Sequence, residues 1–225
     1  MTKNREIKSY VLRQGRFTNS QKNALQAHWN EFGIDYSQKK INFSEIFGNN
    51  NPVFIEIGFG NGEFLIHISE NNPNYNYIGI EVYKPGIGHI LKRLATKKIK
   101  NVKILNFDAI DVINDMIIDF SLSGVYIMFP DPWHKKKHHK RRMVQDNLIK
   151  LLAKKMCPSG LIFISTDWQD YADQILEVIS KNVSSFRLLK DSEYLDNFKK
   201  IFLTKYEERG LRKGHNISKF VIERL

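Results

Sequence analysis

Asp131 lies between Pro130 and Pro132, and Trp133 follows at once. Behind the indole come Lys135, Lys136, Lys137, Lys140, Arg141 and Arg142, with His134, His138 and His139 among them. A carboxylate, a stacking ring and a phosphate-binding run therefore share one stretch. This set suits group transfer to a nucleic acid. The acid stabilises positive charge at a reacting centre, the ring stacks on a base, and the cations hold phosphates. The histidines are not read as metal ligands. The surrounding cations repel a divalent ion, and neither a cysteine nor a carboxylate joins them. A nuclear-localisation role is weakened because the run continues directly from the apolar residues Val125 to Phe129 instead of lying in a linker.

A second set of acids points to a small ligand. Glu56-Ile57-Gly58-Phe59-Gly60-Asn61-Gly62 is a glycine turn after an apolar run. Gly58 and Gly60 let backbone approach a ligand at a helix N-terminus. A dinucleotide site wants glycine at the next position, but Glu63 stands there, where a pyrophosphate would lie. Glu81 closes the next apolar run, about 20 residues after Gly58, where a carboxylate accepts from ribose hydroxyls. Asp108 closes the third and is placed to accept from an adenine amino group. An adenosine site without phosphate describes S-adenosylmethionine. Asp167 follows Ser165-Thr166 and precedes Trp168, adding another strand-end acid beside a second stacking ring.

Such loops work only if a scaffold brings them to one edge. From Pro52 onward strands alternate with helices. Strands read at 53–57, 76–81, 102–107, 124–129, 161–166 and 186–189, and a last one at 217–224 is antiparallel to its neighbour. Helices read at 63–70, 85–98, 111–118, 142–155 and 168–181, with Pro85 in a first turn and Pro158-Ser159-Gly160 as a stop. The order predicts an α/β fold, a Rossmann-like doubly wound seven-stranded sheet with the last strand antiparallel. Its ligands bind at the carboxyl ends of the strands. Upstream, Thr18 and Gln21 form a capping box for a helix through His28 and Trp29 to near Gly33. Asn42 and Glu45 mark a shorter helix closing near Gly48. Lys3, Arg5, Lys8, Arg13 and Arg16 make the first residues a basic arm. Residues 1–50 thus read as arm and short helices, and 51–225 as the catalytic domain.

The 225 residues carry a net charge of +11, and 42% of them are hydrophobic. The chain is globular with a polyanionic partner. No basic amphipathic helix and no apolar run of ~20 residues stands out, so nucleic acid is favoured over membrane. The one cysteine, Cys157, cannot form an intrachain disulfide, which suits a reducing cytoplasm. Between Met156 and Pro158 it reads as a small apolar filler.

On these residues the chain resembles the bacterial tRNA (guanine-N7-)-methyltransferases, the TrmB family. The matching elements are Ile55-Glu56-Ile57-Gly58-Phe59-Gly60, Tyr77-Ile78-Gly79-Ile80-Glu81, Phe129-Pro130-Asp131-Pro132-Trp133-His134-Lys135 with Arg141-Arg142, Thr166-Asp167-Trp168 and Thr204-Lys205-Tyr206-Glu207. The resemblance covers about Arg13 to the C-terminus, and the Pro-Asp-Pro-Trp element with its basic tail is the specific one. The resemblance implies a class I methyltransferase fold, S-adenosylmethionine as methyl donor, and transfer to N7 of the variable-loop guanine of tRNA, giving 7-methylguanosine. It implies Glu56, Gly58, Gly60, Glu81, Asp108 and Asp131 at the cofactor, with Asp131 catalytic. It implies Lys135, Asp167, Thr204, Lys205, Tyr206 and Glu207 on the substrate, and Lys137, His138, His139, Lys140, Arg141 and Arg142 on the RNA. It further implies no metal, no membrane, no obligatory protein partner, and a monomer or homodimer in the cytoplasm.

Two questions stay open at this level. Either Asp167 or Glu207 can pair with the N1–H and 2-amino donors of guanine. Trp133 either stacks on the target base or braces its loop. An adenine-N6 methyltransferase is the rival enzyme, but its loop carries two adjacent prolines, whereas Asp131 separates Pro130 from Pro132. A non-catalytic RNA-binding protein on the same scaffold would not need the acids at 56, 81, 108 and 131.

Overall fold

The computed structural model describes residues 7–11, 15–200, 205–212 and 214–225. Lys3, Arg5 and Arg13 of the expected arm lie outside them. The first helix, α1 (Asn19–Phe32), starts at the reciprocal Thr18–Gln21 capping box and stops at Gly33. A two-residue strand, β1 (Gly33–Ile34), follows, and then α2 (Phe43–Phe47), capped by Asn42 and closed by Gly48 in the left-handed region at φ 71°.

The alternating part runs β2 (Val53–Ile57), α3 (Glu63–Asn71), β3 (Asn76–Ile80), α4 (Lys84–Lys97), β4 (Val102–Leu105) and α5 (Ala109–Met116). It continues through β5 (Leu122–Met128), a 3-10 helix (Lys136–Arg141), α6 (Asp146–Lys155), β6 (Met156–Thr166) and α7 (Gln169–Ser180). β7 (Phe186–Leu188), α8 (Glu193–Lys200), α9 (Lys205–Arg212) and β8 (Ser218–Arg224) complete it. The strands form one sheet in the order β1-β4-β3-β2-β5-β6-β8-β7. β2 is parallel to both neighbours, β3 and β5, so the strand order reverses at its carboxyl end. β8 is antiparallel to both β6 and β7.

The sheet has eight strands where seven were expected. The addition is β1, an edge strand too short to carry a periodic pattern, paired with Ile104 and Leu105. Several boundaries also differ. The fifth helix begins at Ala109 because Asp108 itself caps it, accepting from the Ile110 amide at 2.8 Å. The basic run forms a 3-10 turn, and the following helix starts only at Asp146. Pro158 does not separate helix from strand, since β6 already begins at Met156.

Two cores cover the two faces. Val53, Ile55 and Ile57 of β2 point to the side packed by α5, α6 and α7. Alternate residues such as Tyr77 and Tyr126 face α1, α3 and α4. No helix among the described residues is long and apolar enough to cross a membrane.

Two glycines in α4 permit its position. A Cβ on Gly88 would lie 2.4 Å from the Gln21 carbonyl oxygen, so α1 can approach α4 only there. A Cβ on Gly86 would lie 2.1 Å from the Gly60 carbonyl oxygen. The first turn of α4 therefore supports the glycine loop from behind. Gly86→Ala is expected to cost about 1–3 kcal/mol and to lower the melting temperature, as thermal unfolding will report.

Candidate active site

The glycine loop follows β2 and turns through Gly58, Gly60 and Gly62, at φ 72°, 57° and 75°. Side chains pay a steric cost at such angles, which explains glycine at each. A Cβ on Gly58 would meet nothing within 4 Å, so the loop presents backbone to open space. Glu81, just after β3, ties the loop down. Its Oε2 accepts from the Gly60 amide at 2.8 Å, and its Oε1 accepts from the amides of Val82 at 2.7 Å and Tyr83 at 3.0 Å. Burial raises the Glu81 pKa even though these donors oppose the rise. Glu81 is thus a loop-fixing residue as well as a candidate ribose acceptor.

Glu56 is the decisive side chain here. It lies within β2, opposite Gly79 on one side and Tyr126 on the other. Only 2% of it is exposed, and its Oε2 has no hydrogen-bond partner among the described residues. Burial, with a smaller push from Glu81, drives its pKa up to about 8. A buried carboxylate is costly unless a cation or donor meets it. This orphaned oxygen beside an open glycine loop fits a cationic ligand that brings both.

Asp108, the expected adenine acceptor, is already partnered. Besides capping α5, it accepts an ion pair from Lys8 Nζ at 3.2 Å. Lys8 also reaches Asp111 at 3.2 Å, and Tyr10 lies against Asp108, with burial and that acid raising the Tyr10 pKa. The described part of the arm, residues 7–11, therefore crosses the edge at Asp108. It then meets the basic loop: Trp133 Nε1 donates to the Ser9 carbonyl at 3.2 Å, and Arg141 Nη1 donates to the Lys8 carbonyl at 3.2 Å.

Asp131 sits in the turn after β5. Phe129 and Trp133 on either side of it adopt φ 50° and 49°. The Trp133 amide donates to Asp131 Oδ1 at 3.0 Å, leaving the exposed carboxylate fixed in direction. The Trp133 ring is held by Ser9, by Arg141 over its face at 5.3 Å, and by His138 edge-on at 5.8 Å. In this arrangement Trp133 braces the loop.

The expected RNA residues divide. Lys135, Lys137 and Lys140 are exposed, whereas His138, His139 and Arg141 are half-buried. His138 has its pKa lowered by desolvation and then by the neighbouring cations. Arg142 faces inward and is 2% exposed. Its Nε donates to the Pro132 carbonyl at 2.8 Å, its Nη1 to Gln174 Oε1 at 2.7 Å, and its Nη2 to Asp170. The guanidinium also lies 4.8 Å from the centre of the Tyr171 ring. With its donors bound inside the protein, Arg142 cannot grip phosphate in this state. It clamps the Asp131 turn onto α7.

The chain matches the family model described as "Putative methyltransferase" (Methyltransf_4) over residues 50–220. It is 42% identical, over 95% of its length and 86% of the relative's, to the tRNA (guanine-N(7)-)-methyltransferase of Mannheimia succiniciproducens. It is 43% identical to the enzyme of that name from Hydrogenovibrio crunogenus, covering 98% of this chain and 92% of the other. It belongs to the tRNA (guanine-N7-)-methyltransferase family. Among solved structures, the 16S rRNA methyltransferase KamB shares the fold at a TM-score of 0.55 and 11% identity, over 81% of this chain and 92% of that one.

The family's substrate-side motif falls at the other end of the carboxyl edge. Asp167 follows β6 and meets His215 Nδ1 through Oδ2 at 3.2 Å. Glu207, on α9, forms a buried ion pair with Lys219 at 2.8 Å. Thr204 lies outside the described residues. Lys205 and Tyr206 open α9, and their side chains are likewise outside the description. Sequence reasoning missed Gly86, the Asp170–Gln174 anchor of Arg142, Ser9 and His215. Only Gly86 left a local signal, a glycine pair inside an otherwise amphipathic helix.

Two outcomes follow from these contacts. Because folding raises the Glu56 pKa, its favourable contribution is complete below about 4.5 and is lost as pH rises through about 8. Glu56→Gln does not titrate. Its melting temperature relative to the native protein is expected to climb across that interval, while calorimetry shows S-adenosylmethionine binding at least ~10-fold weaker. Arg141→Ala and Arg142→Ala are expected to separate. The first should reduce the salt slope of tRNA binding by about one. The second should lower stability by about 2–3 kcal/mol, as denaturant unfolding will measure.

Proposed function

We propose that this protein methylates N7 of the variable-loop guanine of tRNA, using S-adenosylmethionine. The observation that carries the reading is the orphaned Glu56 carboxylate under an open glycine loop, on the same sheet edge as the Asp131 turn and its cationic run. The names of the full-length relatives supply the substrate and the atom. Glu56, Glu81, Asp108 and the Gly58–Gly60 backbone hold the cofactor, which when bound supplies an electrophilic methyl on a sulfonium. Residues 51–225 form the catalytic domain, and 1–50 the arm and its helices. The protein acts in the cytoplasm as a monomer or homodimer, needing neither metal nor membrane nor an obligatory protein partner.

Guanine N7 carries an in-plane lone pair that is unprotonated at neutral pH. The chain therefore needs no general base. Its residues have to align the purine, exclude water and stabilise the positive charge that arises on the ring. Asp131 is suited to that charge because one of its oxygens is pinned by the Trp133 amide and the carboxylate lies on an exposed turn. Lys135, Lys137, Lys140 and Arg141 line the side from which the phosphates approach, and Arg142 keeps the turn in register.

The experiment is transfer of labelled methyl to bulk tRNA, followed by strand cleavage specific for 7-methylguanine. Asp131→Asn is expected to reduce turnover by about 10²-fold or more while tRNA affinity changes little. Unchanged turnover in that variant would refute the role given to Asp131, and label at another atom would refute the reading.

A further inference from the structure

Two acids are candidates for the guanine edge, and their surroundings are unlike. Glu207 is 5% exposed, and its Oε1 is joined to the equally buried Lys219 at 2.8 Å, so its charge is already matched. Asp167 is about one-third exposed, at 32%. Its Oδ2 meets His215 Nδ1, while Oδ1 has no hydrogen-bond partner among the described residues. A carboxylate accepts two donors on each oxygen, so with His215 in place Asp167 retains more than the two acceptor sites that guanine needs.

His215 is itself constrained from several sides. The left-handed Gly214, at φ 74°, turns the chain back after α9, and the His215 amide donates to the Gly210 carbonyl at 3.0 Å. Its ring lies 6.3 Å from that of Trp168, which also meets His134 edge-on at 4.2 Å. Gly210 closes the far side: a Cβ there would lie 3.1 Å from Asp167 Cβ and 3.3 Å from Oδ2. The carboxylate is thus packed against α9 and steered by one imidazole.

We infer that His215 is a positioning residue for guanine selection. Its Nδ1–H donates to Asp167 Oδ2 and fixes the carboxylate plane so that Oδ1 and the remaining lone pair of Oδ2 receive guanine N1–H and the 2-amino group. Nothing is transferred between these groups; the imidazole acts only through the direction it gives the acid. Adenine offers no such pair of donors, and hypoxanthine offers only N1–H. An unanswered acceptor then disfavours the wrong base. This inference rests on the guanine-directed reading above.

The test uses the full-length protein and two tRNA transcripts that differ only at the target position, guanosine or inosine. The native protein is expected to favour guanosine by about ten-fold in kcat/KM, because inosine lacks the 2-amino donor. His215→Phe keeps a ring against Trp168 but removes the donor, and it should bring that ratio close to one while S-adenosylmethionine affinity holds. His215→Asn places an amide N–H near the Nδ1 position and should restore most of the ratio. Asp167→Asn should abolish the preference alone, with no further change when combined with His215→Phe.

A merely structural role would slow both transcripts equally and leave the ratio intact, and that result in His215→Phe overturns the inference. So does a native protein that treats the two transcripts alike. If His215→Phe loses cofactor binding through misfolding, His215→Asn decides: a ratio near one with cofactor affinity intact overturns the inference. A native protein that does not methylate guanine N7 at all sinks the functional reading instead.

Discussion

The working edge of this protein depends on β2 pairing parallel with strands on both sides. That arrangement ends β2, β3 and β5 at the same edge, and pairing extends it to β4 and β6. The acids that follow these strands share an edge because the ladders stop together. Parallel strands are covered by helices on both faces, so a charged side chain within one has little access to water. Glu56 is such a residue, which makes its carboxylate a cost to the fold and a candidate receptor for a cation.

The turn carrying Asp131 is held from three directions. Arg142 binds the Pro132 carbonyl and is anchored to α7, the Trp133 amide closes onto Asp131, and the Trp133 ring is tied to Ser9. Two non-glycine residues with positive φ in such a short turn cost about 1–3 kcal/mol each and persist because these contacts outweigh them. The anchored geometry gives the Asp131 carboxylate one direction, as its proposed role requires. It also makes the basic run two-sided. Its lysines face solvent, and its last arginine reaches into the core.

The strands and most helices were legible because apolar residues alternate or recur at helical spacing between glycine and proline punctuation. The acids were legible because each sits where such a run stops. What escaped had physical reasons. β1 is two residues long and owes its existence to β4. α9 is charged along most of its length and contains Gly210, so it carries no apolar stripe. Arg142 is chemically the same as Arg141, and its partners on α7, Asp170, Tyr171 and Gln174, far along the chain, decide that it turns inward. Asp167 was visible, but its partner His215 was not, because their meeting depends on how β8 returns along β6.

That return has a consequence for how the molecule is made. β8 follows every other element in the chain, yet it inserts between β6 and β7 and is the partner of both. Until it docks, β6 has an open edge, β7 has no ladder, and the strand that follows His215 is not yet fixed beside β6. Long-range pairing of this kind forms late. During synthesis β2, β3 and β5 can pair before it, and the Asp167–His215 contact arrives only with the final strand. On the proposed roles, a nascent chain would complete its donor loop before it could choose an acceptor.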